Sequence, residues 1–226
     1  MRVTGVDACR RGWVAVGLEV ASCFRVDEVR VHPDLAGALG GGGADAGAGV
    51  TGIDMPLGLL ESGWREADRA ARARLGPRRS SVFAIPPRAV WEQPSYPAAS
   101  RRCRELTGQG FSIQAWGLRA RLLEADRYRD ACRHPLYEVH PELAFGAMAG
   151  APLADSKHTA AGLARRRELL RRAGIVLPPA RGAPVADTLD AAAAAWSAWR
   201  VATGRAVVLP DPPQADAAGR EIAIRY

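Results

Sequence analysis

Lysine is almost missing from this chain of 226 residues: Lys157 is the only one among 31 lysines and arginines. Long apolar runs are missing too. No stretch reaches the roughly 18 apolar residues of a membrane-spanning helix, and the N-terminus has no apolar h-region before a small-residue cleavage site, which predicts no export. The four cysteines, Cys9, Cys23, Cys103 and Cys132, are scattered and form no CxxC pair. Neither a zinc ribbon nor a disulfide framework is expected, and a reducing cytoplasm is the simple setting. No GK[ST] follows the glycine run Gly40 to Gly43, which continues to Gly49 and reads as a flexible linker, not a phosphate loop.

The formal net charge is +7, which suits a polyanionic partner such as nucleic acid. The near-total replacement of Lys by Arg, with abundant Ala and Gly, also fits a GC-rich coding sequence and an ordinary solvated basic surface. About half the residues are apolar (48%), enough for a full core without staples.

The chain opens on an apolar run that climbs to Asp7, a polar turn, and a second apolar run from Trp13, the pattern of a β-hairpin. Cys23 to Val31 alternates as a third strand. Asp34 caps a short helix, Leu35 to Leu39. Val50 to Asp54 is a fourth strand, closed by Pro56 and Gly58. From Trp64 to Cys132 the spacing is mostly helical: Trp64 to Leu75, Tyr96 to Leu106 and Ile113 to Asp130. A short strand at Pro135 to Glu138 follows. Further helices are predicted at His140 to Met148, at Ser156 to Ala173 with Ser156 as cap, and at Pro184 to Ala202. Ala206 to Leu209 and Glu221 to Tyr226 suit a terminal hairpin.

Acids recur at the ends of these elements. Asp7 and Asp54 close two candidate core strands, and Glu138 closes a third. Asp187 and Asp190, three apart on the last helix, share one face; acids in a first turn also simply complement the helix dipole. A buried strand-end carboxylate is costly unless a cation or a hydrogen bond meets it. Mg²⁺ or Mn²⁺ takes oxygen ligands from separate elements and keeps several waters. Two such ions about 3.5–4 Å apart activate water for phosphodiester hydrolysis without a protein nucleophile. The order of strands, short helix, acid-tipped fourth strand and late acidic helix matches the RNase H-like plan, a mixed five-stranded α/β sheet flanked by helices. Here a helical insertion of about residues 64–132 follows the fourth strand of one domain, 1–226.

Six stretches carry a more specific resemblance: GVDACRRGWVAV, GIDMPLGL, ADRAARARLGPRRSSVF, YEVHPELAF, the SK of DSKHTAAGLARR, and DTLDAAAAAWSA. Together they resemble an uncharacterised bacterial and archaeal family described as predicted RNase H-like nucleases, over nearly the whole chain. The resemblance implies an RNase H-like core and, on the pattern of RuvC-like resolvases, metal ligands at Asp7, Asp54 and the pair Asp187 and Asp190. Glu138 stands apart, because the fifth strand is not a usual ligand source there.

Other residues carry two readings each. Arg78, Arg79, Ser80 and Ser81 follow a helix stop and offer guanidinium forks and hydroxyls to phosphate, or are a solvated turn beside an Asp68–Arg69 ion pair. His140 can move a proton or contact phosphate, or bond to backbone at a helix start. Lys157 places a compact ammonium near metal or phosphate, or survives by chance. Trp196 and Trp199 read as core, while Trp64, Trp91 and Trp116 in the insertion are candidates for base stacking. The expected function is a metal-dependent nuclease. Its rivals are an inactive RNase H-like module that binds nucleic acid or nucleotide, and an actin-like phosphotransferase or ATPase, for which DACRRGW lacks the Gly/Thr-rich phosphate turn.

Overall fold

A computed structural model describes residues 1–40, 49–131, 134–179 and 182–226. The expected glycine linker, from residue 41 on, and Cys132 lie outside the described residues. Cys9, Cys23 and Cys103 are free thiols.

The chain forms two compact units: Met1–Met55 with Cys132–Val207 and Arg225–Tyr226, and Pro56–Ala131 with Val208–Ile224. The first is built on a five-stranded mixed sheet. Strands β1 (Arg2–Cys9), β2 (Gly12–Val20), β3 (Phe24–His32), β4 (Val50–Asp54) and β5 (Leu136–Glu138) lie in the order β3-β2-β1-β4-β5. The hairpins β1–β2 and β2–β3 are antiparallel, and β1–β4 and β4–β5 are parallel. The β1–β2 turn is tight, with Cys9 opposite Gly12 and only Arg10 and Arg11 between them. Gly12, at φ 137°, takes a backbone conformation that a side chain would strain. Helix α1 (Leu35–Ala38) is capped as expected, the Asp34 carboxylate accepting the Gly37 N–H at 2.7 Å.

One face of this sheet is covered by helices of the same unit, here numbered α7 (Pro141–Ala149), α8 (Ala160–Arg172) and α9 (Val185–Ala202) after the five of the second unit. Val3, Val14, Val16 and Leu18 meet Phe145, Leu169, Leu170, Leu189 and the alanines of α9 in one buried cluster. Trp196 is buried there and Trp199 packs against it, as their spacing predicted. Two glycines allow α9 to lie directly on the central strands. A Cβ on Gly5 would stand 2.0 Å from the Ala191 carbonyl oxygen and 2.1 Å from the Ala195 nitrogen, and one on Gly52 would stand 2.5 Å from the Ala194 carbonyl oxygen. Backbone cannot yield as a side-chain tip can, so Gly5→Ala is expected to lower stability by about 3 kcal/mol. Chemical denaturation checks this against Gly117→Ala, whose new methyl would meet nothing within 4 Å.

The second unit is the helical insertion joined by a two-stranded sheet. Its helices are α2 (Glu66–Leu75), α3 (Arg88–Trp91), α4 (Tyr96–Thr107), α5 (Ile113–Gly117) and α6 (Arg119–Ala131), with a 3-10 helix at Gly76–Ser81 after α2. Strands β6 (Val208–Ala215) and β7 (Glu221–Arg225) form its sheet; β6 starts two residues later and runs six residues farther than its sequence suggested, and β7 ends one residue earlier. Trp91 is fully buried and stacks on Trp116 at 6.2 Å, with Phe111 edge-on to both. Trp91 is therefore core, and half-buried Trp116 packs on it. No helix among the described residues is long and apolar enough to cross a membrane.

Candidate metal centre

Asp7 and Asp54 end adjacent parallel strands and stand directly opposite in register. Each lies two residues beyond a glycine that faces α9, Gly5 and Gly52, so the pleat turns both carboxylates to the same helix. Helix α9 brings Asp190 down to them from its second turn. One carboxylate oxygen from each of Asp7, Asp54 and Asp190 lies within 4.8 Å of the other two. Asp7 and Asp190 are buried, at 6% and 2% exposure.

Like charges at this spacing in a buried place resist ionisation. Burial pushes the Asp7 carboxyl well above its ordinary range, and Asp54 and Asp190 add to the rise. Burial also raises Asp54, to about 6; Asp190 works in the same direction and His140 against it. Asp187, half-buried and one turn earlier on α9, is raised by burial as well. It is not one of the three converging acids, so Asp190 is the member of the pair that joins the group.

Lys157 answers part of this charge. Its ammonium donates to Asp190 Oδ2 at 2.5 Å. Burial works to lower it, but Asp190, and then Asp54 and Asp7, outweigh burial and hold it well above its ordinary value. The residue sits in the turn before α8, not in the helix. Thr159, not Ser156, caps α8 by accepting the Gly162 N–H, while the Ser156 carbonyl accepts from both the Thr159 N–H and its hydroxyl. The expectation of a helix from Ser156 is thereby corrected: that turn is spent presenting Lys157.

The turn itself is anchored by a pair that the sequence did not suggest. Arg166 on α8 is fully buried and donates to Glu142 on α7 at 2.6 Å. Its other terminal nitrogen reaches the Asp155 carbonyl at 3.2 Å and the Gly162 carbonyl at 3.1 Å. Asp155 is two residues before Lys157, so one guanidinium ties both ends of the turn to α7.

Glu138 does not join the acids. It pairs with Ile53, one position before Asp54, so strand alternation sends its side chain to the opposite face of the sheet. His140 begins α7 as its N-cap and lies close enough to oppose the rise of Asp54. Arg78, Arg79, Ser80 and Ser81 lie in the second unit on the 3-10 helix, where the Ser81 hydroxyl donates to the Arg78 carbonyl at 2.9 Å. The expected Asp68–Arg69 pair is replaced by two others. Asp68 is buried, faces Arg65 at 3.7 Å and accepts the Ile85 N–H, while exposed Arg69 pairs with Glu66. Side chains one apart on a helix do not face each other.

The donor set suits a hard divalent cation: three carboxylate oxygens from three elements, spaced so that small shifts gather them round one ion at the roughly 2.0–2.1 Å of a Mg²⁺–oxygen bond. Without a cation the same acids penalise the fold above their folded pKa. Asp54 holds a proton in the folded chain that it loses on unfolding, so stability falls as pH rises from about 4 through about 6, and Asp7, raised well above its ordinary range, acts in the same direction. Half-buried His134, whose pKa burial lowers, works the other way below its ordinary value. The comparison is therefore made with Asp54→Asn in EDTA. Between pH 5 and pH 7 the melting temperature of the native protein is expected to drop about 5 °C more than that of the variant.

The family model described as "Protein of unknown function (DUF429)" matches residues 5–215. No curated protein and no solved structure matches the chain.

Proposed function

The chain belongs to that DUF429 family of unknown function, and from its geometry we propose that it is a metal-dependent nuclease on an RNase H-like core, with Mg²⁺ or Mn²⁺ at Asp7, Asp54 and Asp190. The observation that carries this reading is the convergence of those three carboxylates from β1, β4 and α9. The strand order and the late helix laid over the central strands agree with that core. When bound, the divalent cation supplies the positive charge that lowers the pKa of water and stabilises the leaving oxygen.

The chain's own residues do the rest. Asp7 and Asp54 hold the cation from rigid strand ends, and Asp190 completes the set from a helix that two glycines bring close. Lys157 fixes the rotamer of Asp190 and keeps one positive charge beside the place where phosphate negative charge builds up. His140, beside Asp54, is positioned to move a proton. Arg79 stays the candidate for contact with the phosphate backbone, and a nucleic acid the candidate partner. The cytoplasmic setting expected from the scattered cysteines is part of the same proposal.

A second reading has one observation in its favour. The Lys157 ammonium already neutralises Asp190, as it would in an inactive module that keeps the acids only as structure. Hydrolysis of single- and double-stranded DNA, RNA and hybrids, with Mg²⁺ or Mn²⁺ and beside Asp7→Asn, separates the two. Metal-dependent cleavage lost in the variant supports the nuclease. Binding without cleavage, unchanged by the variant, establishes the module instead.

A further inference from the structure

The second unit contains a cavity of about 830 Å³ lined entirely by its own residues, within the range of pockets that enclose small organic ligands. Its wall carries three aromatic side chains, Trp64, Phe83 and Phe111, and three guanidinium groups, Arg65, Arg69 and Arg72. Trp64 and Phe83 are half-buried there and make no ring contact with another aromatic side chain among the described residues, whereas Phe111 is already held edge-on to Trp91 and Tyr96. Two indifferent rings at a cavity wall leave open the faces on which a planar group stacks.

The charges at this wall are not balanced. Arg65 is answered by Asp68 and Arg69 by Glu66. Arg72 lies half-buried, donates to the Val82 carbonyl at 2.8 Å, and has no carboxylate partner among the described residues. A guanidinium has five donors, and this bond uses one. The remaining donors form a fork suited to phosphate oxygens, and the Ser80 hydroxyl lies on the same wall.

We propose that this cavity binds a nucleoside monophosphate unit, with its base stacked on Trp64 and Phe83 and its phosphate on Arg72 and Ser80. The unit is either a free mononucleotide or one nucleotide of a single strand; both present the same base and phosphate. This site shares no residue with the acid cluster, so it stands or falls independently of the nuclease reading.

Calorimetric titration of the full chain in EDTA, where no metal-dependent cleavage takes place, tests it. AMP is expected to bind at least about tenfold more tightly than adenosine or inorganic phosphate, since each lacks one half of the contact. Trp64→Leu is expected to weaken AMP about tenfold or more, as loss of one stacking platform does, while Trp64→Phe stays within about threefold. Arg72→Gln is expected to bring AMP down to the affinity of adenosine. Each variant is first checked for a native melting transition, and the ligand series on the unmodified chain decides the matter if Trp64→Leu does not fold. Displacement of AMP by a short single-stranded oligonucleotide identifies the polymer as the source, and failure to displace identifies the free nucleotide. AMP binding no tighter than phosphate, or unaffected by both Trp64→Leu and Arg72→Gln, overturns the proposal.

Discussion

Asp7→Asn is expected to lower metal-dependent phosphodiester hydrolysis by more than about 100-fold while leaving the metal-free protein at least as stable as the native one. Changes to groups that merely support metal ligands cost about 10–100-fold, and Asp7 is a direct member of the set. It ends a central strand, is 6% exposed, and faces both Asp54 and Asp190. The stability half of the prediction follows from the same contacts. Removing one of three crowded carboxylates relieves repulsion and desolvation, so the melting temperature in EDTA is expected to hold or rise. Saturating Mg²⁺ or Mn²⁺ is expected to raise the native melting temperature by about 5–10 °C, as ligand at 100 times its Kd does for a chain of this size, and to leave the variant unmoved. A variant that loses activity by unfolding would be exposed at once by its melt in EDTA. Full activity in a folded variant would remove Asp7, and with it the proposed mechanism.

Asp7 and Asp54 were legible in the sequence because each closes a short apolar run just before a turn signal, Arg10 to Gly12 in one case and Pro56 in the other. A sharper signal went unused. Gly5-Val6-Asp7 and Gly52-Ile53-Asp54 repeat the same glycine two residues before the acid, and the alanines of α9 supply the smooth helix that those glycines admit. Read together, they place one helix over both strand ends and select its acids. Period alone could not choose between Asp187 and Asp190, because two residues three apart on a helix share a face yet differ by nearly a full turn along its axis. The place of Glu138 needs the structure for a related reason: the end of a strand fixes how far along the sheet a residue lies, but the register decides its face, and register comes from the neighbouring strand.

Lys157 drew notice by its rarity, and its pairing with Asp190 gives that rarity a physical content. Burial beside the acids favours a compact ammonium on a flexible stem over a planar fork. Arg166 had the opposite fate. Among 31 basic residues, an arginine in the run Arg165-Arg166-Arg167 carries no mark that separates the buried one from half-buried Arg165 and exposed Arg167, and its partner Glu142 reads as an ordinary first-turn acid. Only the packing of α7 against α8 distinguishes them.

Arg166→Met is therefore the most destabilising single change expected in the first unit, at about 3–5 kcal/mol, because it breaks the buried ion pair with Glu142 from one side only. The double variant Arg166→Met with Glu142→Leu removes both charges and fills similar volume. Most of the lost stability is expected to return, since apolar replacement of a buried pair is often neutral or better. What does not return is the hold on the turn, because methionine cannot donate to the Asp155 and Gly162 carbonyls. Lys157 then loses its fixed approach to Asp190, and hydrolysis is expected to stay at least about tenfold below native in a protein that melts normally. Denaturation and activity measured on the same three proteins decide between two roles for the pair. Recovery of both quantities in the double variant would make it a packing element alone. Recovery of stability without activity would make Arg166 a positioning residue, acting on the acid cluster through the placement of a single lysine.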